Sequence, residues 1–278
     1  MRTLVAGPFV GEFGWEVMGW QGIIRAFSRR YDRTVVISRP EQAYLYRDFC
    51  DRFIGWSPGS YRTAGYECRD GRPYDGEAHA GFPGCAAFSV SNNREATRRL
   101  TGAPQEFIRF GGEVEPVGSF DIIVHARAIP EDGAAGKAAR NWPAGHWHAL
   151  VALLAREFRV AAIGLPGLAM VPEGATDCRH LPLDGQCALM HRARCTVGPS
   201  SGPMHLASLC GSPHVVWTEK DDGSSVRINV RRYATDWNPL GTPVSIITRG
   251  AWRPDIDTVL AEVRRRASQV RGPPVLVE

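Results

Sequence analysis

No run of about 18 apolar residues occurs in the chain, so no transmembrane helix is expected. The opening stretch, MRTLVAGPFVGEFGWEVMGW, also lacks the long apolar centre of a signal peptide. A dominant charge is missing too: 33 basic against 29 acidic residues leave +4, far too little to argue for nucleic acid. Arginine clusters are short, at 29–30, 98–99, 231–232 and 264–266; they suit phosphate-bearing ligands and leave peripheral contact with a membrane open. The seven cysteines show no CxxC spacing and are odd in number, which argues against both a zinc site and a full disulfide framework. Reduced thiols and a cytoplasmic location follow as expectations. Neither internal repeats nor low-complexity tracts stand out.

What is present is the alternation of strands and helices. The 278 residues, 44% of them hydrophobic, can bury a sizeable core and suit two compact units. Strand TLVAG (3–7), a glycine-containing loop, a helical pattern over 15–30 and strand TVVIS (34–38) make a β-loop-α-β order, the mark of a parallel sheet with helices packed on it. A helix is expected over 41–53 and a long loop region over 55–92. The pattern restarts with strand 120–126, loop 127–142, helix 143–157 and strand 158–164. It continues with a helix near 184–192, strand 195–198, helix 203–210, strand 214–217, strand 244–248 and a terminal helix over 255–268. The tail GPPVLVE reads as loosely held. Two such series, split near 118, predict an α/β protein of two Rossmann-like domains with parallel sheets facing across a cleft: 1–118, and 119–278 with a last helix that can return to the N-terminal domain. Ligands of open α/β sheets sit beyond the carboxyl ends of the strands, so loops 7–14, 127–142 and 198–203 are where a site is sought.

The third of these loops, in VGPSSGPMHLASLCG (197–211), carries the strongest signal. A strand delivers Gly198; Ser201 or Gly202 caps a helix with Pro203 in its first turn. Free amides and the positive helix end favour a phosphate or carboxylate there. Gly198 and Gly202 allow close backbone approach, the hydroxyls of Ser200 and Ser201 add hydrogen bonds, and His205 lies one turn in. The competing reading is an ordinary helix cap with a buried, satisfied histidine.

The run GPSSGPMHLASLCGSP resembles the C-terminal motif of the heptosyltransferase-type glycosyltransferases, the ADP-heptose:lipopolysaccharide family with the GT-B fold, similar to glycosyltransferase family 9. Ser201, Gly202 and His205 occupy the matching positions, while Ser200 stands where that family usually has Asp. HARAIPEDGAAGKAARNWPAGHWHALVALL resembles the family's strand, basic loop and K/R-x-W-P segment, with Arg140, Asn141 and Trp142 in place. The resemblance implies a nucleotide-diphosphate-sugar donor whose phosphates meet Arg140 first, with Arg127 and Lys137 behind it. Thr218, Glu219 and Lys220, after the 214–217 strand, fall where GT-B proteins place further donor contacts.

In the first loop, GPFVGEFGWEVMGW, Glu12 stands for the family's proposed acid in a GD pair, the base that takes the acceptor proton. Glu16, four residues on and on the same helix face, is the reserve candidate. Gly11, Phe13, Gly14 and Trp15 complete an acceptor-side loop; Trp15 and Trp20 are read as helix core or, for one beside the loop, as a surface that stacks on a sugar. Structural alternatives remain for both acids, Glu12 as a first-turn helix residue and Glu16 in a surface ion pair. The adjacent Asp221 and Asp222 point apart and are read as solvated, and the remaining histidines show no ligand spacing. The resemblance thus implies an inverting, metal-independent transferase without cofactor, acting on a carbohydrate or small-molecule hydroxyl or amine. The alternative is a nucleotide-sugar-binding protein of the same fold, or an NDP-sugar epimerase or hydrolase, without glycosyl transfer.

Overall fold

The computed structural model describes residues 2–9, 12–56, 86–90, 101–131, 138–218, 226–268 and 275–277. The chain divides into two compact units, Met1–Phe107 and Ile108–Glu278. The break precedes residue 118 because the segment after it is already tied to the second unit. Phe110 N–H donates to the Leu209 carbonyl at 3.1 Å, and the Arg109 guanidinium donates to Thr242 Oγ1 and the Leu240 carbonyl.

In the first unit β1 (Thr3–Phe9), β2 (Arg33–Ser38), β3 (Arg52–Gly55) and β4 (Ala86–Val90) form a parallel sheet in the order β3-β2-β1-β4. Val5, Val35 and Ile37 are its buried centre. β1 runs past the expected end at Gly7, which lies inside the strand with φ 117°; a side chain there would overlap the Ile37 carbonyl, so only glycine lets the two strands close.

The helical pattern expected over 15–30 is broken into α1 (Phe13–Trp15), a π-helical turn (Glu16–Trp20) and α2 (Gln21–Ser28). Its apolar residues Val17, Met18, Trp20, Ile23, Ile24 and Phe27 are buried, and Trp20 packs on Phe9 and Tyr46 at 5.1 and 5.6 Å between ring centroids. The helix expected over 41–53 is instead a 3₁₀ turn (Pro40–Tyr46) followed by β3. Asp51 pins the chain to β2: its N–H donates to the Thr34 carbonyl, and its carboxylate accepts from Thr34 N–H at 2.7 Å. That clasp converts residues 52–55 to sheet pairing, which local periodicity does not reveal.

Arg25 clamps this unit. Its guanidinium, 2% exposed, meets both carboxylate oxygens of Asp48 (2.7 and 3.1 Å), the carbonyls of Leu45 and Glu106, and the Gln21 side chain. Arg25→Met keeps most of the packing but strands these acceptors. Unfolding free energy from urea titration should fall by about 2 kcal/mol, short of the full cost of splitting a buried pair because Asp48 can reach water.

The second unit holds seven parallel strands in the order β11-β10-β9-β8-β5-β6-β7. They are β5 (Ile122–Val124), β6 (Val160–Ala162), β7 (Thr176–Asp177), β8 (Cys195–Pro199), β9 (His214–Trp217), β10 (Val244–Ile247) and β11 (Val275–Val277). Between them run α3 (Ala144–Leu154), α4 (Leu183–Arg192), α5 (Gly202–Cys210), α6 (Val226–Ala234) and α7 (Ile256–Ser268).

Strand residues alternate between two cores, as a pleated sheet covered on both faces requires. Val215, Trp217 and Ile247 join Trp147, Leu150, Val259 and Val263 of α3 and α7, whereas Val216, Val244 and Ile246 join Met204 and Tyr233 of α5 and α6. Trp142, Trp147 and Trp217 pack mutually at 5.0–5.5 Å. The tail read as loose is corrected by β11, whose Val275–Val277 pair with Ser245–Ile247; β10 would otherwise present an open edge.

Candidate functional site

The order of the strands marks where each unit can hold a ligand. In the second sheet the chain moves from β5 to β6 and β7 in one direction, then resumes at β8 on the other side of β5. This reversal is a topological switch point, and the loops leaving β5 and β8 diverge beyond their carboxyl ends. Arg127 follows β5 and the Ser200–Gly202 turn follows β8. The first sheet reverses likewise between β1 and β4, and Glu12 belongs to the loop leaving β1.

The turn after β8 is built to leave donors over. Ser200 N–H is held by the Trp217 carbonyl at 2.8 Å. Ser201, with extended backbone, is the N-cap of α5, yet its hydroxyl makes no capping bond, and its buried Oγ has no partner among the described residues. The cause is partly Pro203, which has no N–H to offer. Amides of the first helical residues, Gly202 and Met204, lie ahead of the first helical repeat, which begins with His205 N–H donating to the Ser201 carbonyl at 3.1 Å.

His205 is enclosed by Trp237 and Tyr233, at 4.7 and 5.7 Å between centroids, and its Nδ1 has no partner among the described residues. Burial, and secondarily His214, lowers its pKa to about 3, so the ring is neutral near pH 7 and offers hydrogen bonds rather than charge. Gly198 also meets a packing demand. It lies within β8, where its missing side chain makes room for the His125 carbonyl and Met204 Sδ, each 3.0 Å from where a Cβ would sit.

Positive charge comes from Arg140, exposed in the 3₁₀ turn Ala138–Arg140 and stacked over Trp252 at 5.1 Å. Its field reaches the Tyr233 phenol, which itself donates to Ser200 Oγ at 2.6 Å, so Arg140 and the turn after β8 share one neighbourhood. Asn141 closes the intervening loop by exchanging two hydrogen bonds with the Ile129 backbone, 3.1 and 2.7 Å long. Arg127, half-buried, sits where β5 ends, and its charge helps lower the pKa of buried His125 to about 4, after burial itself. Thr218 is buried at the end of β9, its N–H on the Ile247 carbonyl. Lys137, Glu219, Lys220 and Gly11, with Asp221 and Asp222, lie outside the described residues.

In the first unit Glu12 caps α1 through its carbonyl, which accepts from Trp15 and Glu16 N–H at 3.0 and 3.1 Å, while its side chain is half-exposed. Phe13 and Gly14 are half-buried beside it. Trp15, at 42% exposure, is the one large aromatic among the described residues left open to solvent, whereas Trp20 is core. Glu16 is not the surface ion pair considered from sequence. It is fully buried, with Oε1 accepting from Ser38 Oγ and the Tyr46 hydroxyl and Oε2 without a partner among the described residues. Tyr46, Ser38 and Tyr233 carried no sequence signal, since each meets its partner across 22–33 residues.

Among the described residues no three His, Cys, Asp or Glu side chains are grouped to hold a metal ion. Among them, too, no helix is long and apolar enough to cross a membrane.

Neither a family model nor a curated protein matches the sequence. Solved structures do match the fold. E. coli heptosyltransferase WaaC, solved with ADP, aligns at TM-score 0.55 and 12% identity over 96% of this chain and 100% of that one. The chain has the heptosyltransferase fold. E. coli ADP-heptose LPS heptosyltransferase II aligns at 0.54 and 15% identity, covering 96% and 98%, and a family 9 glycosyl transferase of Veillonella parvula at 0.53 and 10%, covering 96% and 97%. At such identities the likeness is one of fold, and at that level it bears out the resemblance drawn from the runs at 125–154 and 198–213 and the α/β class with parallel sheets.

Proposed function

We propose that the protein is an inverting, metal-independent glycosyltransferase that takes a sugar from a nucleotide diphosphate and passes it to a carbohydrate or small-molecule hydroxyl or amine. The observation that carries this reading is the set of polar atoms at the start of α5 without a partner among the described residues, Ser201 Oγ and His205 Nδ1 above all, beside a sheet switch point and within reach of Arg140's field. A diphosphate suits it: the helix start and hydrogen bonds stabilise the charge that grows on the leaving oxygen, and Arg140 adds a cation. Support from the fold is that E. coli WaaC is solved both with ADP and with ADP-2-deoxy-2-fluoro heptose.

In this reading the C-terminal unit binds the donor through Gly198–Pro203, His205, Arg140, Arg127, Lys137 and Thr218–Lys220, and the N-terminal unit supplies the base. The acceptor oxygen or nitrogen attacks the anomeric carbon, the bond from that carbon to the diphosphate breaks with its electron pair leaving on the diphosphate, and Glu12 takes the acceptor proton. Glu12 is preferred to Glu16 because its side chain reaches the surface, and Trp15 offers an exposed ring beside it for the acceptor.

Incubation with a panel of nucleotide sugars tests the reaction through released nucleoside diphosphate. Release that depends on an acceptor supports transfer; release without acceptor marks a hydrolase, and binding without release a nucleotide-sugar-binding protein. Donor recognition is tested separately by calorimetry. Ser201→Ala combined with His205→Ala should weaken nucleoside-diphosphate binding about tenfold or more, each lost bond contributing a few-fold. Because His205 is neutral well below pH 5, His205→Gln should leave the pH profile of binding unchanged in shape between pH 5.5 and 8. A new titration step in the variant, or wild-type affinity in the double substitution, would return the turn to a plain helix cap.

A further inference from the structure

The phenol of Tyr233 has no counterpart in the reading above, yet its position is sharply constrained. It comes from the penultimate residue of α6, is fully buried, and is gripped edge-on by Trp237 at 5.1 Å with His205 on another side. Its hydroxyl has one hydrogen-bond partner among the described residues, Ser200 Oγ at 2.6 Å, and Tyr233 is the donor. Ser200 is nearly buried, and its backbone is already fixed by Trp217, so the accepted bond leaves its hydroxyl little freedom.

A hydroxyl that accepts one bond still has a hydrogen to give. Among the described residues Ser200 Oγ donates to none, and the next residue along the chain opens α5 with an unpartnered hydroxyl of its own. We propose that Tyr233 is a positioning residue of the diphosphate site, fixing and polarising Ser200 so that the Ser200 hydroxyl hydrogen is held ready for a phosphate oxygen of the nucleotide. This rests on the donor-site reading above.

The chain of bonds runs one way, from phenol to serine to anion. A bond accepted from a phenol makes the serine a better donor, and the absence of solvent around Tyr233 keeps the relay from exchanging with water. No proton is transferred: Tyr233 stays neutral, its pKa raised mainly by burial. Arg140, whose charge reaches this phenol, gives the same neighbourhood its cation. The site is therefore specified by α6 as well as by the turn after β8, although the two are 33 residues apart.

The test is a double-mutant cycle with ADP, UDP and GDP as probes, read by calorimetry on the full chain, with each variant's melting temperature measured alongside. Tyr233→Phe keeps the ring and its contacts with Trp237 and His205. It should weaken binding of whichever diphosphate the wild type binds by about five- to tenfold, as expected when the hydrogen bond that orients a donor towards a charged acceptor is lost. In a Ser200→Ala background the same substitution should change affinity by less than about twofold, because the relay is already cut. Wild-type affinity in Tyr233→Phe overturns the inference. So does an equal loss in both backgrounds, which would mean that the phenol acts through packing, whatever the melting temperatures. Failure of the wild type to bind any of the three nucleotides is a separate result: it overturns the donor-site reading and this inference with it.

Discussion

Glu12→Gln should lower acceptor-dependent turnover by about 100- to 10,000-fold, the range supplied by a positioned base, and leave the affinity for the nucleoside diphosphate as it is in the wild type. The substitution keeps the size and the backbone role of the residue, since the bonds that cap α1 are made by the Glu12 carbonyl rather than its carboxylate. What it removes is a proton acceptor. A base that acts only in the transfer step affects kcat and not donor binding, because the residues proposed to bind the donor all belong to the second unit. The matching control is Glu16→Gln, whose carboxylate is enclosed and should not contact the acceptor. Steady-state rates with and without acceptor decide between them: unchanged turnover in Glu12→Gln would remove it as the base, and a collapse confined to Glu16→Gln would transfer the role there.

How far the sequence alone reaches is clear from particular elements. HVVW was expected as a strand over 214–217 and is β9 over the same residues, because a short apolar run bounded by Pro213 and a polar exit is buried on both faces. PMHLASL was expected as a helix after a polar turn, and it is α5, for the proline and serine that precede it constrain only local backbone. Elements that depend on distant partners were not visible in this way. β3 exists because Asp51 is tied to Thr34, and β11 because β10 has an edge to cover; neither RFIG nor VLV announces that by its own pattern.

The same division runs through the site. Ser201, Gly202 and His205 could be singled out because a strand-turn-helix sequence carries its own chemistry. The unpartnered atoms that make the turn interesting could not, since they follow from Pro203 lacking an amide and from aromatic rings of α6 and its following turn closing over His205. Gly198 carries a demand that local pattern does not reveal. A glycine at a strand end suggests close approach of a ligand, and here its missing side chain also accommodates Met204 and the His125 carbonyl.

Glu16 carries the second large effect, and it is one of pH. Burial dominates its environment and raises the carboxyl pKa from 4.5 to about 7; bonds from Ser38 and Tyr46 and the charge of Arg39 pull the other way, and Glu41 adds to the rise. Tyr46 remains protonated and a donor, its own pKa driven well above 10 mainly by burial. With the folded value above the unfolded one, both states hold the proton below about pH 4.5. As pH rises from there the unfolded chain releases it first, so stability is lost progressively until the folded form also ionises near pH 7. The full loss is of order 3 kcal/mol, from a shift of about two and a half units at 1.36 kcal/mol each. Glu16→Gln retains an oxygen for Ser38 and Tyr46 and cannot titrate. Urea unfolding measured from pH 4.5 to 8 should therefore show a stability difference between variant and wild type that moves in favour of the variant by up to that amount, then levels off. Parallel curves across the range would mean that Glu16 is ionised in the fold at all these pH values, held so by Arg39 and its two hydroxyl donors.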